Sequence, residues 1–442
     1  MTQIASTPTT PSAVGAGQPG GAVSTATSGA AERRAQSRRH YFTGTPGRMR
    51  LMAAIASALC LAFALAGFTG LRGVQTSVDR ASANTEQVVR SRAIYADLLA
   101  ADAAVTNGFL VGGLESPASR KTYDEAMARV AENIATAASA QEADGKALAA
   151  LNEEVQNYAA NIDRARTYNR EGKPVGAQYL RIAGTDLRAQ ALPIADAVAT
   201  ANEGRAEDAY GIGAPGWLAL GTGLVALGGL LAIAVWLARR THRYVNLPLT
   251  AAILLVGAAL GLAAWHVTQV ANTLNDARNG EYKAATALAQ ARAAAYDAKA
   301  NESLTLIARG SGQAFEKAYQ DSSAKTLDKL QELVNADPAQ DSLRSRFGAY
   351  TVKHSAIRKA DDGGDWTGAV KLATSDAADS ANDTFRQFDQ AASTVLAQEV
   401  KSITTAFDRI GGWLLSWVAG GAAALAALLA GRSMSRRIEE YR

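Results

Sequence analysis

Four apolar segments, Leu51 to Leu71, Gly216 to Leu237, Leu247 to Val267 and Trp413 to Ala430, divide this chain more firmly than any motif does. Each is close to the roughly 20 apolar residues that cross a bilayer as a helix, and none contains Asp, Glu, Lys or Arg. Arginine crowds their flanks: Arg33, Arg34, Arg38, Arg39, Arg48 and Arg50 before the first, Arg239, Arg240 and Arg243 between the second and third, and Arg432, Arg436, Arg437 and Arg442 after the fourth. The positive-inside rule then predicts four passes with both termini and the short link cytoplasmic, in a cell (inner) membrane.

Charge follows the same partition. The flanks and link sum to +10, whereas the long loops 72–215 and 268–412 are net acidic, together −6, giving the overall +4. A basic balance distributed this way points to anionic lipid heads and not to nucleic acid. The expected organisation is a disordered cytoplasmic tail over 1–50, membrane helices at 51–71, 216–237, 247–267 and 413–430, a basic link at 238–246 and a cytoplasmic tail at 431–442. The tail over 1–50 is rich in Ser, Thr, Pro, Gly and Ala and too poor in large apolar residues to build a core. The first apolar segment is longer than a signal-peptide core and is expected to be retained. Cys60, the single cysteine, lies within it, so the outside domains must hold together without disulfides.

The two long loops read as copies of one unit. At a constant offset of 192 residues Tyr123 matches Phe315, Leu151 matches Leu343, Tyr158 matches Tyr350, Arg166 matches Arg358, and Gly172 and Gly176 match Gly364 and Gly368. Apolar residues recur in each at steps of three and four, as in Leu148, Leu151, Val155, Tyr158 and Ile162, which predicts amphipathic helices. Breaks carry turn chemistry at Gly112, Gly113 and Pro117, at Gly145, at Gly172 and Pro174, and in the second loop at Gly310 and Gly312, Asp337-Pro338 and Asp361 to Asp365. The fold class is therefore all-α, four transmembrane helices with two duplicated extracytoplasmic up-down four-helix bundles over 72–215 and 268–412, each with its own seam. Pro193 falls inside the fourth helix and should kink it.

Such bundles place two turns at the tip farthest from the bilayer. Gly112, Gly113, Gly172, Lys173 and Gly176 gather at one tip, and Gly310, Gly312, Gly363, Gly364, Asp365 and Trp366 at the other. Trp366 is the one tryptophan away from a membrane segment; it reads as a partner-docking aromatic or as a staple for the helix it starts. Arg166 and Arg358 sit near the ends of their third helices, where they hold a carboxylate or complement a helix dipole. His354 stands where the first unit has Ile162, as a pH or ligand switch or as a hydrogen-bonded core imidazole. No metal-ligand spacing, no acid/base pair and no phosphate loop is present, so catalysis, metals and cofactors are not expected.

Long helices that enter and leave the membrane on either side of a four-helix bundle, with runs such as Asn107-Gly-Phe-Leu-Val-Gly-Gly at the first turn, resemble the ligand-sensing modules of bacterial chemoreceptors and sensor kinases. The resemblance covers Leu51 to Leu237 and again Leu247 to Ala430. Two such modules in tandem, a polar N-terminal tail and only Arg432 to Arg442 after the last span are similar in layout to the GlnX family of actinobacterial amino-acid-sensing membrane components. That resemblance implies a solute-binding lipoprotein of the GlnH type outside, capturing glutamate or aspartate, and a Ser/Thr kinase of the PknG type inside. A homo-oligomer is compatible with it. The competing reading is a structural scaffold that organises envelope proteins and senses nothing.

Overall fold

The computed structural model describes residues 45–241, 246–410 and 412–439; the expectations for 1–44 and for the middle of the basic link lie outside them. Among the described residues every regular element is a helix. The order is α1 (Thr45–Leu110), α2 (Pro117–Ala140), α3 (Gly145–Arg170), α4 (Val175–Asp186), α5 (Leu192–Ala209), α6 (Gly213–Thr241), α7 (Leu247–Ala277), α8 (Lys283–Ile307), α9 (Gln313–Ala336), α10 (Ser342–Asp362), α11 (Trp366–Thr374), α12 (Ala381–Arg409) and α13 (Trp413–Glu439). Four helical stretches are long and apolar enough to cross a membrane. Trp217, Trp265, Trp413 and Trp417 project outward near the ends of those stretches, where indole rings settle at a bilayer interface.

α1 is uninterrupted for 66 residues, about 99 Å at the α-helical rise. Three layers are stacked along it. Met49, Cys60, Phe63, Leu230, Leu237, Leu249, Val256, Ala423 and Ala430 form the core of the apolar four-helix layer. Above it, Val74, Val78, Tyr210, Val270, Leu274, Ile403 and Phe407 knit α1, the end of α5, α7 and α12 into a stalk. There Tyr210 Oη lies 2.8 Å from Thr85 Oγ1, and the Tyr210 ring meets Tyr282 and Phe407. The third layer holds the two long-loop bundles.

Within each bundle the seam follows helical spacing. α2 buries Tyr123, Ala126, Val130, Ile134 and Ala137; α3 buries Leu148, Leu151, Val155, Tyr158, Ile162 and Ala165. Ser116 caps α2 by accepting from the Ser119 amide, and Pro117 occupies the first helical position. α3 ends with Gly172 at φ +68, and the Lys173 amide donates to the Tyr168 carbonyl at 2.9 Å. α10 ends the same way: Gly364 stands at φ +86 and the Asp365 amide donates to the Ala360 carbonyl at 2.9 Å. Both are left-handed glycine stops with a six-to-one hydrogen bond.

The positional match needs one adjustment. In the third helices the offset of 192 holds, with Leu151, Val155, Tyr158 and Ile162 standing where Leu343, Phe347, Tyr350 and His354 stand. In the second helices the buried counterparts of Tyr123, Val130, Ile134 and Ala137 are Tyr319, Thr326, Leu330 and Leu333, an offset of 196. Phe315, the expected match of Tyr123, is only half-buried. Four residues are about one helical turn, so the shift leaves the apolar stripe in phase and is invisible to periodicity.

Each bundle has its own core, and the two cores touch along α8. α8 buries 18 of its 25 residues; Ala293 belongs to the first bundle's core and Tyr296 packs against both cores. The alanines that line α8 let α1 approach closely, and Asn107 of α1 donates to the Ala373 carbonyl of the second unit at 3.0 Å. Leu110 closes the tip by packing with Leu306, Ile357, Ala369, Ala373 and Ala381. The fourth helix of the first unit is split by a π turn at Leu187–Ala191, where the Leu192 amide bonds to the Leu187 carbonyl. Pro193 lies two residues beyond this turn, and its ring displaces the local α-helical bonding.

Candidate functional site

The tips hold most of the candidate residues, and the two differ in chemistry. At the first, α3 presents Arg166, which is 7% exposed. Its guanidinium lies 4.1 Å from the centre of the Tyr123 ring. Nη2 donates to Glu115 Oε1 at 3.1 Å, and Nε stands 2.9 Å from Glu115 Oε2. Glu115 comes from the 111–116 turn, in which Gly112 and Gly113 take φ +70 and +68 with open space around them. Its chain folds over Gly108, where a Cβ would lie 2.9 Å from Glu115 Cγ. Gly172 and Lys173 form the neighbouring turn, and Lys173 pairs with Glu171 at the surface. Gly176 packs on the α3 backbone, with no room for a side chain. A cavity of about 170 Å³ opens between these turns, lined by Val105, Phe109, Leu114, Arg120, Arg166 and Arg170.

At the second tip, Gly310 takes φ +84 and Gly312 packs on Thr305. Asp365 caps α11 by accepting from the Gly368 amide at 2.8 Å. Trp366 is half-buried: Nε1 donates to the Leu306 carbonyl at 2.9 Å, and Arg309 covers its ring at 4.1 Å. The ring thus ties the start of α11 to the end of α8. Arg358 lies 3.5 Å from Glu316 Oε2, 2.7 Å from Asp361 Oδ2, and also pairs with Asp362. Gly363 and Gly364 form the turn beside it. An open cavity of about 730 Å³ joins Gly310, Gly312, Glu316, Arg358, Asp361 and Trp366.

His354 sits beneath that cavity. Nδ1 lies 3.0 Å from Glu302 Oε2 and Nε2 lies 3.3 Å from Glu316 Oε2, while the ring stacks on Tyr319 at 3.4 Å. With Glu302 at Nδ1 and Glu316 beside Nε2, the two carboxylates favour the imidazolium form. Burial alone would lower its pKa, but Glu302 and Glu316 hold it above 6.5. Burial alone would likewise raise the Glu302 carboxyl, but Lys299 at 2.6 Å and His354 hold it down at about 2. Tyr350 Oη also donates to Glu302, at 3.2 Å.

A further charged cluster was missed by pattern reading. Asp102, fully buried in α1, accepts from Tyr158 Oη at 3.2 Å and from Arg188 Nη1 at 2.8 Å. Arg188 Nη2 reaches Asp297 of α8 at 2.9 Å, and Ser322 Oγ donates to Asp297 at 2.6 Å. The signal was present: Asp102 falls on the inward stripe between Leu98 and Val105. Among the described residues no group of three or more His, Cys, Asp or Glu is disposed to hold a metal ion.

A family model described as the actinobacterial sensor domain matches residues 77–211. The match runs from the stalk portion of α1 to just past the end of α5, so it takes in the whole of the first four-helix unit. That unit is similar to a sensor domain, which supports a sensing role in a membrane protein. No curated protein and no solved structure matches the chain.

Proposed function

We propose that this chain is a multi-pass sensor subunit of the inner membrane, with both termini cytoplasmic and both bundles outside. It takes a signal at the bundle tips and passes it to a separate cytoplasmic effector. The observation that carries this reading is α1, one unbroken helix from the apolar layer to the turn that holds Glu115. A small piston, tilt or rotation of such a helix conveys a change at one end to the other. The sensor-domain match over 77–211 supports the same reading.

The partners implied by the layout are a solute-binding lipoprotein carrying glutamate or aspartate outside and a Ser/Thr kinase inside. Val111 and Leu114, 50% and 78% exposed at the first tip, offer the apolar contact an approaching protein would meet first. Val111→Glu is therefore the probe of choice, since Val111 lies outside the caps, the cores and the Arg166 cavity. It should weaken capture of an extracytoplasmic partner by about tenfold or more without changing thermal stability. Ligand and partner should be coupled by about 1–3 kcal/mol. If pull-downs from membranes recover the same proteins with and without glutamate or aspartate, the scaffold reading replaces this one.

A further inference from the structure

We propose that the Arg166 cavity at the first tip is a receptor site for a small carboxylate with a short apolar tail, and that Glu115 occupies the ligand's place in the present structure. This rests on the sensor reading for its role in signalling, but the binding itself is measured directly.

Three observations carry it. The first is unspent donor capacity. Arg166 is more than nine-tenths buried, yet neither Nε nor Nη1 finds an acceptor in hydrogen-bonding geometry. Nε is close to Glu115 Oε2 but misaligned, and Nη1 has only Asp163 Oδ1 at 4.0 Å. A buried guanidinium with two donors unfilled can accept a better-aligned, bidentate carboxylate. The second is the lining, where Arg166 and Arg170 face Glu115 beside the apolar walls of Val105, Phe109 and Leu114, and Arg120, already paired with Asp124 at 2.9 Å, adds to the basic side. An anion headgroup with a few carbons matches that surface, and a volume of about 170 Å³ is roughly the space of five or six water molecules.

The third is how Glu115 is mounted. It rides on a short turn whose preceding residues, Gly112 and Gly113, are left-handed and unobstructed, and its side chain rests on the bare backbone of Gly108. An incoming carboxylate takes the guanidinium and releases Glu115. The turn it frees follows directly on Leu110, which packs against Leu306 and Ile357 of the second unit. Occupancy of the site is thereby communicated to both units.

The test is titration calorimetry on the full chain in nanodiscs, with butyrate, acetate and uncharged butyramide as probes. Butyrate should bind saturably and butyramide should not. Acetate, which leaves the apolar walls uncovered, should bind about tenfold more weakly. Glu115→Gln removes the competing carboxylate and should tighten butyrate about tenfold, while Arg166→Gln should abolish binding. Hydrogen exchange in the 111–116 turn should quicken with butyrate. Should Arg166→Gln fail to fold, the gain from Glu115→Gln decides. Absence of saturable binding in both wild type and Glu115→Gln, or binding indifferent to Arg166→Gln, overturns the assignment. Either result leaves the sensor reading to its own test of ligand-dependent partner capture.

Discussion

Arg188 and Asp297 meet at 2.9 Å across the boundary between the two four-helix units, with the other arm of the same guanidinium on the fully buried Asp102. One side chain thus satisfies an acid of its own unit and an acid of the neighbouring one. Arg188→Ala should cost about 3–5 kcal/mol, because Asp102 is left as an uncompensated buried charge. Since Ala293 and Tyr296 of α8 pack into the first core, both units should melt in one lowered transition. Hydrogen exchange on α3 and α10 should then rise together. Protection lost on α3 alone would show that the units are energetically separate.

The His354 network predicts a pH optimum for the second unit. His354 has its folded pKa raised above 6.5, so its contribution is complete below 6.5 and is lost as pH rises through the folded value. Glu302 is held at about 2 against an ordinary 4.5, so its contribution is present above 4.5 and fades as pH falls toward 2. Thermal melts should show the largest network contribution between these limits. His354→Gln should remove the alkaline loss; a pH profile unaltered by it would disprove the imidazolium assignment.

Glu399 works in the opposite sense. Burial on α12, with Asp337 and Glu281 nearby, pushes its carboxyl up to about 7. The folded protein therefore binds the proton more tightly than the unfolded chain, and stability falls as pH rises from about 4.5 to about 7, by on the order of 2 kcal/mol. Glu399→Gln should flatten that slope while leaving the His354 limb above it. A slope that survives the substitution assigns the effect to another group.

The sidedness is open to chemical labelling. On a Cys60→Ala background, cysteines at the exposed positions Ser139 and Thr394 should react with a membrane-impermeant thiol reagent in intact cells. Thr241→Cys should be protected until lysis. Reaction of the Thr241 position from outside would invert the arrangement on which the signalling direction depends.

The architecture was legible where physical chemistry leaves few choices. Unbroken apolar runs have to be membrane-length helices, and Gly172 and Gly364 stand where left-handed backbone ends a helix. Legibility stopped at alanine. Ala284, Ala291, Ala295 and Ala298 are all buried, but alanine is at home on any face of a helix, so its pattern does not reveal that α8 is covered on every side. The sites were legible by position and less so by partner. Arg166 and His354 announced themselves as polar residues on an apolar stripe, whereas Glu115 lies in a turn with no period to place it. The four-residue shift between second helices was hidden because a whole helical turn restores the stripe.

The two π turns give the units different mechanical characters. A π turn holds one residue more than an α turn, and moving it along a helix slides and rotates the intervening segment by about one residue, near 1.5 Å and 100°. In the first unit Pro193 stands two residues beyond the wide turn at Leu187–Ala191, and a ring without an N–H holds the irregularity in place. The wide turn at Arg278–Tyr282 has no such pin, for no proline occurs between Leu249 and Ile307. The irregularity in the first unit is accordingly pinned by a proline ring, whereas the one between α7 and α8 is held by packing alone.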